Sequence, residues 1–254
     1  MELIPVLDLM QGEVVRGRAG NRGQYQPNIS GLTPGSDPVQ TVLAFKEAFH
    51  PNWLYIADLD AIRHGHAPHP VISTMIECGI PLAVDAGVSS VQQAETLIEM
   101  GVGKVIIGLE TLPQLDLLGP IISSVGSDRI VFSLDLRDGQ PLGAGTEGMH
   151  PAHILSIAVE CGVRHVIVLE FSHIGTSRGV PTGAFCHTVK ERRPDLIVWT
   201  GGGVRHVADL HRLQLARVDG AMVASALHDG LITPADWQSY QTMEVDSTLL
   251  AMDA

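Results

Sequence analysis

Eight short apolar runs, each followed by a polar turn and then a segment of helical periodicity, set the tightest limit on what this chain can fold into. They occupy residues 3–7, 53–57, 81–84, 104–107, 130–134, 165–169, 196–199 and 220–223. Between them lie amphipathic stretches such as VQQAETLIEMGV and VADLHRLQLARV, with apolar residues at helical spacing. Strands alternating with helices imply βαβ units and a parallel sheet, and eight such units favour closure into a barrel over an open, doubly wound sheet. The 254 residues match the usual size of such a barrel. No Gly-, Pro- or Ser-rich linker divides them. The expectation is therefore one α/β domain over residues 1–254, a (β/α)8 or TIM barrel, with residues from about 233 to 254 forming a C-terminal helix or tail.

The two halves of the chain share a rhythm. VDAGVSSVQQAETLIEMGVGKVIIG lies over TGGGVRHVADLHRLQLARVDGAMVA, and Gly87 stands as far before Gly108 as Gly203 stands before Ala224. This spacing reads as a duplicated half-barrel.

Charge narrows the partners. Sixteen Lys and Arg against 28 Asp and Glu leave a net charge of −12, which repels nucleic-acid backbones and anionic membrane surfaces. Neither is expected as a partner. No apolar run reaches the length of a membrane span, and the N-terminus lacks the basic start of a secretory signal, so a cytoplasmic protein is expected. Cys78, Cys161 and Cys186 have neither the number nor the spacing of a disulfide framework or a zinc site.

A phosphorylated ligand must then be met by local backbone donors. Gly201, Gly202 and Gly203 leave the seventh run, where glycine lets the main chain approach an anion and turn successive N–H groups toward it. Ala224 and Ser225 leave the eighth run and open a helix, whose first N–H groups carry partial positive charge. These five residues form a candidate phosphate site. TGGGVR lacks the spacing of a dinucleotide fingerprint. Two aspartates complete the pattern. Asp8 ends the first run and Asp135 the fifth, and those strands stand opposite each other in an eight-stranded ring. Two carboxyls in different surroundings can divide acid and base work.

IPVLDLMQGEVVR, LYIADLDAIRHG, FSLDLRDG, TGGGVR and VASAL together resemble the histidine-biosynthesis family of ProFAR isomerase and the imidazole glycerol phosphate synthase cyclase, over about residues 1–232. The resemblance implies a barrel enzyme that performs an Amadori-type aldose–ketose isomerisation on a phosphorylated aminosugar, without a cofactor, with Asp8 and Asp135 as its acid and base. It also leaves open a lyase or synthase on another monophosphate, in pterin or one-carbon cofactor synthesis, or a non-catalytic sensor of a phosphorylated ligand. The small phosphorylated metabolite is the expected partner, and a monomer the expected state.

The chain departs from that family where a second phosphate would sit. The third run ends in Asp85-Ala86-Gly87 and the fourth in Gly108-Leu109-Glu110, where the family carries glycine- and hydroxyl-bearing residues. Two unit charges ~4 Å apart repel by about 4 kcal/mol at an effective dielectric near 20. The family's sixth-strand threonine is replaced by Leu169, beside Glu170. The chain thus reads as a divergent, isomerase-like paralogue, with Arg16, Asp58, Asp85, Glu170, Thr176 and Arg178 as candidate substrate-binding residues. Asp60 and Glu110 extend the acidic rim, and Arg18 and His173 sit in loops at the same face. His64, His66 and His69 crowd one loop but lack the partners of a familiar metal site, and no metal is expected.

Overall fold

The computed structural model describes residues 1–16, 25–174 and 179–242. All eight runs are strands: β1 (Glu2–Met10), β2 (Leu54–Asp58), β3 (Leu82–Asp85), β4 (Lys104–Gly108), β5 (Ile130–Arg137), β6 (His165–Glu170), β7 (Ile197–Gly201) and β8 (Gly220–Val223). Each pairs in parallel with the next in sequence, and β8 returns to β1, with Leu3 opposite Ala221 and Pro5 opposite Val223. The sheet is therefore closed, as the alternation of strands and helices required. β1 and β5 run past the expected ends because each folds back antiparallel, onto Glu13–Arg16 and Gln140–Pro141 respectively.

The helices wrap the outside: α1 (Pro38–Phe49), α2 (Leu59–His64), α3 (Val71–Glu77), α4 (Val91–Glu99), α5 (Leu118–Val125), α6 (Pro151–Glu160), α7 (Gly183–Arg192), α8 (Val207–Leu215), α9 (Ser225–His228) and α10 (Pro234–Thr242). Their starts follow capping rules: Asp37 accepts from the Gln40 amide ahead of α1, with Pro38 at its first position, and Ser90 accepts from the Gln93 amide ahead of α4. α10 supplies the helix expected after the eighth unit, and the chain beyond residue 242 lies outside the described residues. No described helix is long and apolar enough to cross a membrane.

Side chains alternate strictly between two cores. Leu7, Leu54, Ile56, Leu82, Val84, Val105, Ile107, Phe132 and Val166 pack outward against the helices. Ile4, Tyr55, Ala83, Ile106, Val131, Ile167, Trp199 and Met222 point into the barrel. The period-two parity of a strand decides which residues see the barrel interior. Trp199 fills the lower barrel. It lies edge-on to His165 at 4.2 Å between ring centroids and 6.3 Å from Trp53. Gly220 is required beside it, because any Cβ there would overlap the Trp199 ring. His165 is buried with no hydrogen-bond partner for either ring nitrogen among the described residues. Burial, and then the charge of Lys104, hold its pKa down to about 3, so the imidazole is neutral.

Candidate active site

The upper barrel opens into a cavity of about 950 Å³, counted out to its mouth. The same parity that sends Ile4 and Val131 inward sends Asp8 up β1, and Ser133 and Asp135 up β5, toward that mouth. Asp8 and Asp135 both line the cavity, from strands four places apart in the ring of eight. Gly202, Gly203, Ala224 and Ser225 line it too, after β7 and β8. Asp85 and Glu110 line it after β3 and β4, which face β7 and β8 across the ring.

Asp135 is 3 % exposed. Its Oδ1 accepts from the Ser133 hydroxyl at 2.6 Å and its Oδ2 from the Glu110 amide at 3.2 Å. Those bonds favour the ionised form. Burial opposes it more strongly, joined by the nearby negative charges of Glu110 and Asp85, and the pKa rises to about 8. Asp135 is thus a protonated acid at neutral pH. Asp85, 8 % exposed, accepts from the Gly87 amide at 3.0 Å and from the Tyr55 hydroxyl at 3.3 Å. A methyl placed on Gly108 would stand 3.2 Å from Asp135 Oδ2 and 3.7 Å from Asp85 Oδ2, so the two carboxyls converge above the end of β4. Tyr55 is held as neutral phenol by burial first, and then by the charges of Asp85, Asp135, Asp8 and Glu110.

The glycines after β7 are required sterically. A Cβ on Gly201 would stand 2.5 Å from the Met222 carbonyl oxygen on β8. Gly203, at φ +100°, abuts the carbonyl of Gly179, and Gly179 donates its amide to the Gly203 carbonyl at 3.2 Å. Gly87, its counterpart in the first half, also has positive φ, at +66°. Gly201 itself does not line the cavity; Gly202 and Gly203 do. No side chain caps the first turn of α9, and its leading amides have no partner within the helix.

Three sequence candidates stand away from the cavity. Asp58 follows Ala57 and Glu170 follows Leu169, so strand parity turns both outward. Asp58 caps α2 through the Ala61 amide and accepts from the His69 amide at 2.7 Å. Glu170 accepts from the amides of Asp138, Gly139 and Ser172 and from the Ser172 hydroxyl. Burial pushes its pKa up, but these bonds outweigh it and leave the carboxyl below its ordinary value. Arg16 makes a bidentate pair with Asp229, just past α9. Thr176 and Arg178, with Arg18, lie outside the described residues.

Sequence reasoning did not single out Tyr25, Tyr55, Phe171 and Ile174, which also line the cavity. Tyr55 carried a usable signal, two residues before Ala57 and so on the inward face of β2. Among the described residues, no lysine, arginine or histidine lines the cavity, and no group of three or more His, Cys, Asp or Glu is placed to hold a metal ion.

Known proteins give this geometry a context. The sequence model described as histidine biosynthesis protein matches residues 2–233. A 1-(5-phosphoribosyl)-5-((5-phosphoribosylamino)methylideneamino) imidazole-4-carboxamide isomerase of Thermus thermophilus is 30 % identical over 245 residues, covering 94 % of this chain and all of its own. The isomerase of that name from Roseiflexus castenholzii is 31 % identical, covering 91 % of this chain and 95 % of its own. An uncharacterised protein of Methanocaldococcus jannaschii is 32 % identical over the same shares. With the closed eight-stranded barrel and a match that runs through every one of its strands, the chain belongs to the histidine biosynthesis protein family, as a divergent, isomerase-like member.

Proposed function

We propose that this protein is an aldose–ketose isomerase acting on a phosphorylated aminosugar, with Asp135 as general acid and Asp8 as general base. One observation carries the reading: Asp8 and Asp135 reach a single cavity from opposite sides of the barrel, and a third side is made by Gly202, Gly203, Ala224 and Ser225. The relatives named as isomerases support the reaction class.

The chemistry needs only those groups. The phosphate rests against the backbone at the ends of β7 and β8, where glycine permits close approach and the free amides opening α9 favour an anion. The protonated Asp135 gives its proton to the ring oxygen of the aldosylamine, and the ring opens to an iminium. Asp8 removes the proton at C2, leaving an enaminol. Asp8 returns that proton to C1 while the C2 hydroxyl gives its proton to the Asp135 carboxylate, which restores both groups and gives the 1-amino-1-deoxyketose. No electrons leave the substrate and no cofactor is consumed. Leu169, Phe171 and Ile174 make the cavity wall apolar, which strengthens each charge inside it.

The test is turnover of an N-aryl 5-phosphoribosylamine, followed by NMR of the sugar carbons. The expected result is conversion to the matching 1-arylamino-1-deoxyribulose phosphate by the wild type and none by Asp8→Asn. Wild-type protein that binds the phosphate yet turns over none of the sugar contradicts the proposal.

A further inference from the structure

Ser133 and Asp135 stand two residues apart on β5 and so share its inward face. Ser133 is 2 % exposed and lies below the cavity, which Asp135 lines and Ser133 does not. Both neighbouring strands fix its place. Ser133 is in register with Gly108 on β4 and with Ile167 on β6, and its carbonyl accepts from the Leu109 amide at 2.9 Å. From there its hydroxyl donates to Asp135 Oδ1 at 2.6 Å. The other carboxyl oxygen, Oδ2, accepts from the Glu110 amide at the longer distance of 3.2 Å and stands above Gly108. On the β6 side Asp135 is in register with Leu169, whose side chain carries no donor.

We propose that Ser133 is a positioning residue for the general acid: by donating to Oδ1 it keeps the transferable proton of Asp135 on Oδ2, the oxygen turned away from the serine and toward the mouth, and it sets how readily that proton leaves. This rests on Asp135 being the acid, as proposed above, and adds the group that controls it. A carboxyl protonated on its lower oxygen faces away from the sugar and must turn before it can donate. The serine removes that alternative, because its own hydroxyl proton already occupies the Oδ1 lone pair. The same bond favours the carboxylate left behind after transfer. It therefore draws the pKa down, against burial and the charges of Glu110 and Asp85. Among the described residues, the other ionisable groups lining the cavity are Asp8 from β1, Tyr25 from the loop that follows, Tyr55 from β2, Asp85 from β3 and Glu110 after β4. A substitution at Ser133 leaves all of them in place, so a difference between variant and wild type isolates the hydroxyl.

Two measurements on wild type, Ser133→Ala and Ser133→Thr test this: the pH dependence of turnover of the N-aryl 5-phosphoribosylamine, and a ¹³C NMR titration of the Asp135 carboxyl in the full chain without substrate. Ser133→Ala is expected to lower kcat at neutral pH by about tenfold, with KM within about threefold, and to move the alkaline limb up by about one pH unit, because the charged form loses a hydrogen bond. Its deficit against wild type is then smaller at alkaline than at neutral pH. The carbon titration is expected to move by the same amount. Ser133→Thr, which keeps the hydroxyl, is expected to leave limb and titration where they stand in the wild type. A merely structural role for Ser133 lowers the folded fraction and leaves both in place. A limb and a titration that stay put in Ser133→Ala, or move down, overturn the proposal while the acid assignment stands. If the wild type turns over none of the sugar, the isomerase reading fails, and the carbon titration alone decides whether Ser133 governs the Asp135 proton.

Discussion

Asp135→Asn is expected to lower kcat by about 10²–10⁴-fold and to abolish the alkaline fall in activity, since the substitution keeps the side chain's shape and removes its transferable proton. In the native protein the carboxyl has its pKa raised from an ordinary 3.8 to about 8, chiefly by burial and then by Glu110. An acid must be protonated to donate, so activity that depends on it persists below pH 8 and is lost as pH rises through that value. Stability moves the same way. Between the ordinary and raised values the folded chain holds a proton that the unfolded chain has released, so the contribution from Asp135 is largest at acid pH and falls as pH climbs toward 8. Initial rates and urea midpoints from pH 5 to 9 read both effects. An alkaline limb that survives in Asp135→Asn assigns the acid to another group.

The second large effect is on stability. Trp199→Ala is expected to cost about 3–5 kcal/mol, the range for truncating a buried aromatic side chain. Trp199 is 1 % exposed and sits where His165, Trp53, Ile4 and Gly220 meet, below the cavity. A rigid barrel leaves that void largely uncollapsed, because the closed sheet cannot shift one strand without breaking pairing on both sides. Trp199→Phe is expected to cost less. Chemical denaturation measures both, and a loss below about 1 kcal/mol for the alanine variant would show that the lower barrel is not packed as described.

The closed sheet was legible in the sequence because eight apolar runs at even spacing admit few other arrangements. The tight turn after β7 was legible through glycine, whose positive φ at Gly202 and Gly203 no other residue accepts cheaply. Asp58 and Glu170 were harder. Strands of a parallel barrel are buried on both faces, so hydropathy shows a continuous run and hides which side chains face inward. One residue of parity separates Asp58 from Ala57 and Glu170 from Leu169, and it turned two candidate ligands into helix-cap and loop anchors. Arg16 is a ligand candidate by its place in the loop after the first strand; its pairing with Asp229 is a contact across the chain that no local pattern carries. Tyr55 was overlooked because an aromatic residue within a strand is ordinarily core, and only its proximity to four acids marks it.

In the proposed mechanism a phosphate held at the β7–β8 end sets a substrate between two facing aspartates. A ³¹P NMR titration with inorganic phosphate, comparing wild type, Ser225→Glu and Asp8→Asn, tests that arrangement. Binding is expected to be abolished by the carboxylate introduced at Ser225 and to persist in Asp8→Asn. Unchanged binding in Ser225→Glu, or its loss in Asp8→Asn, would place the anion elsewhere and contradict the claim.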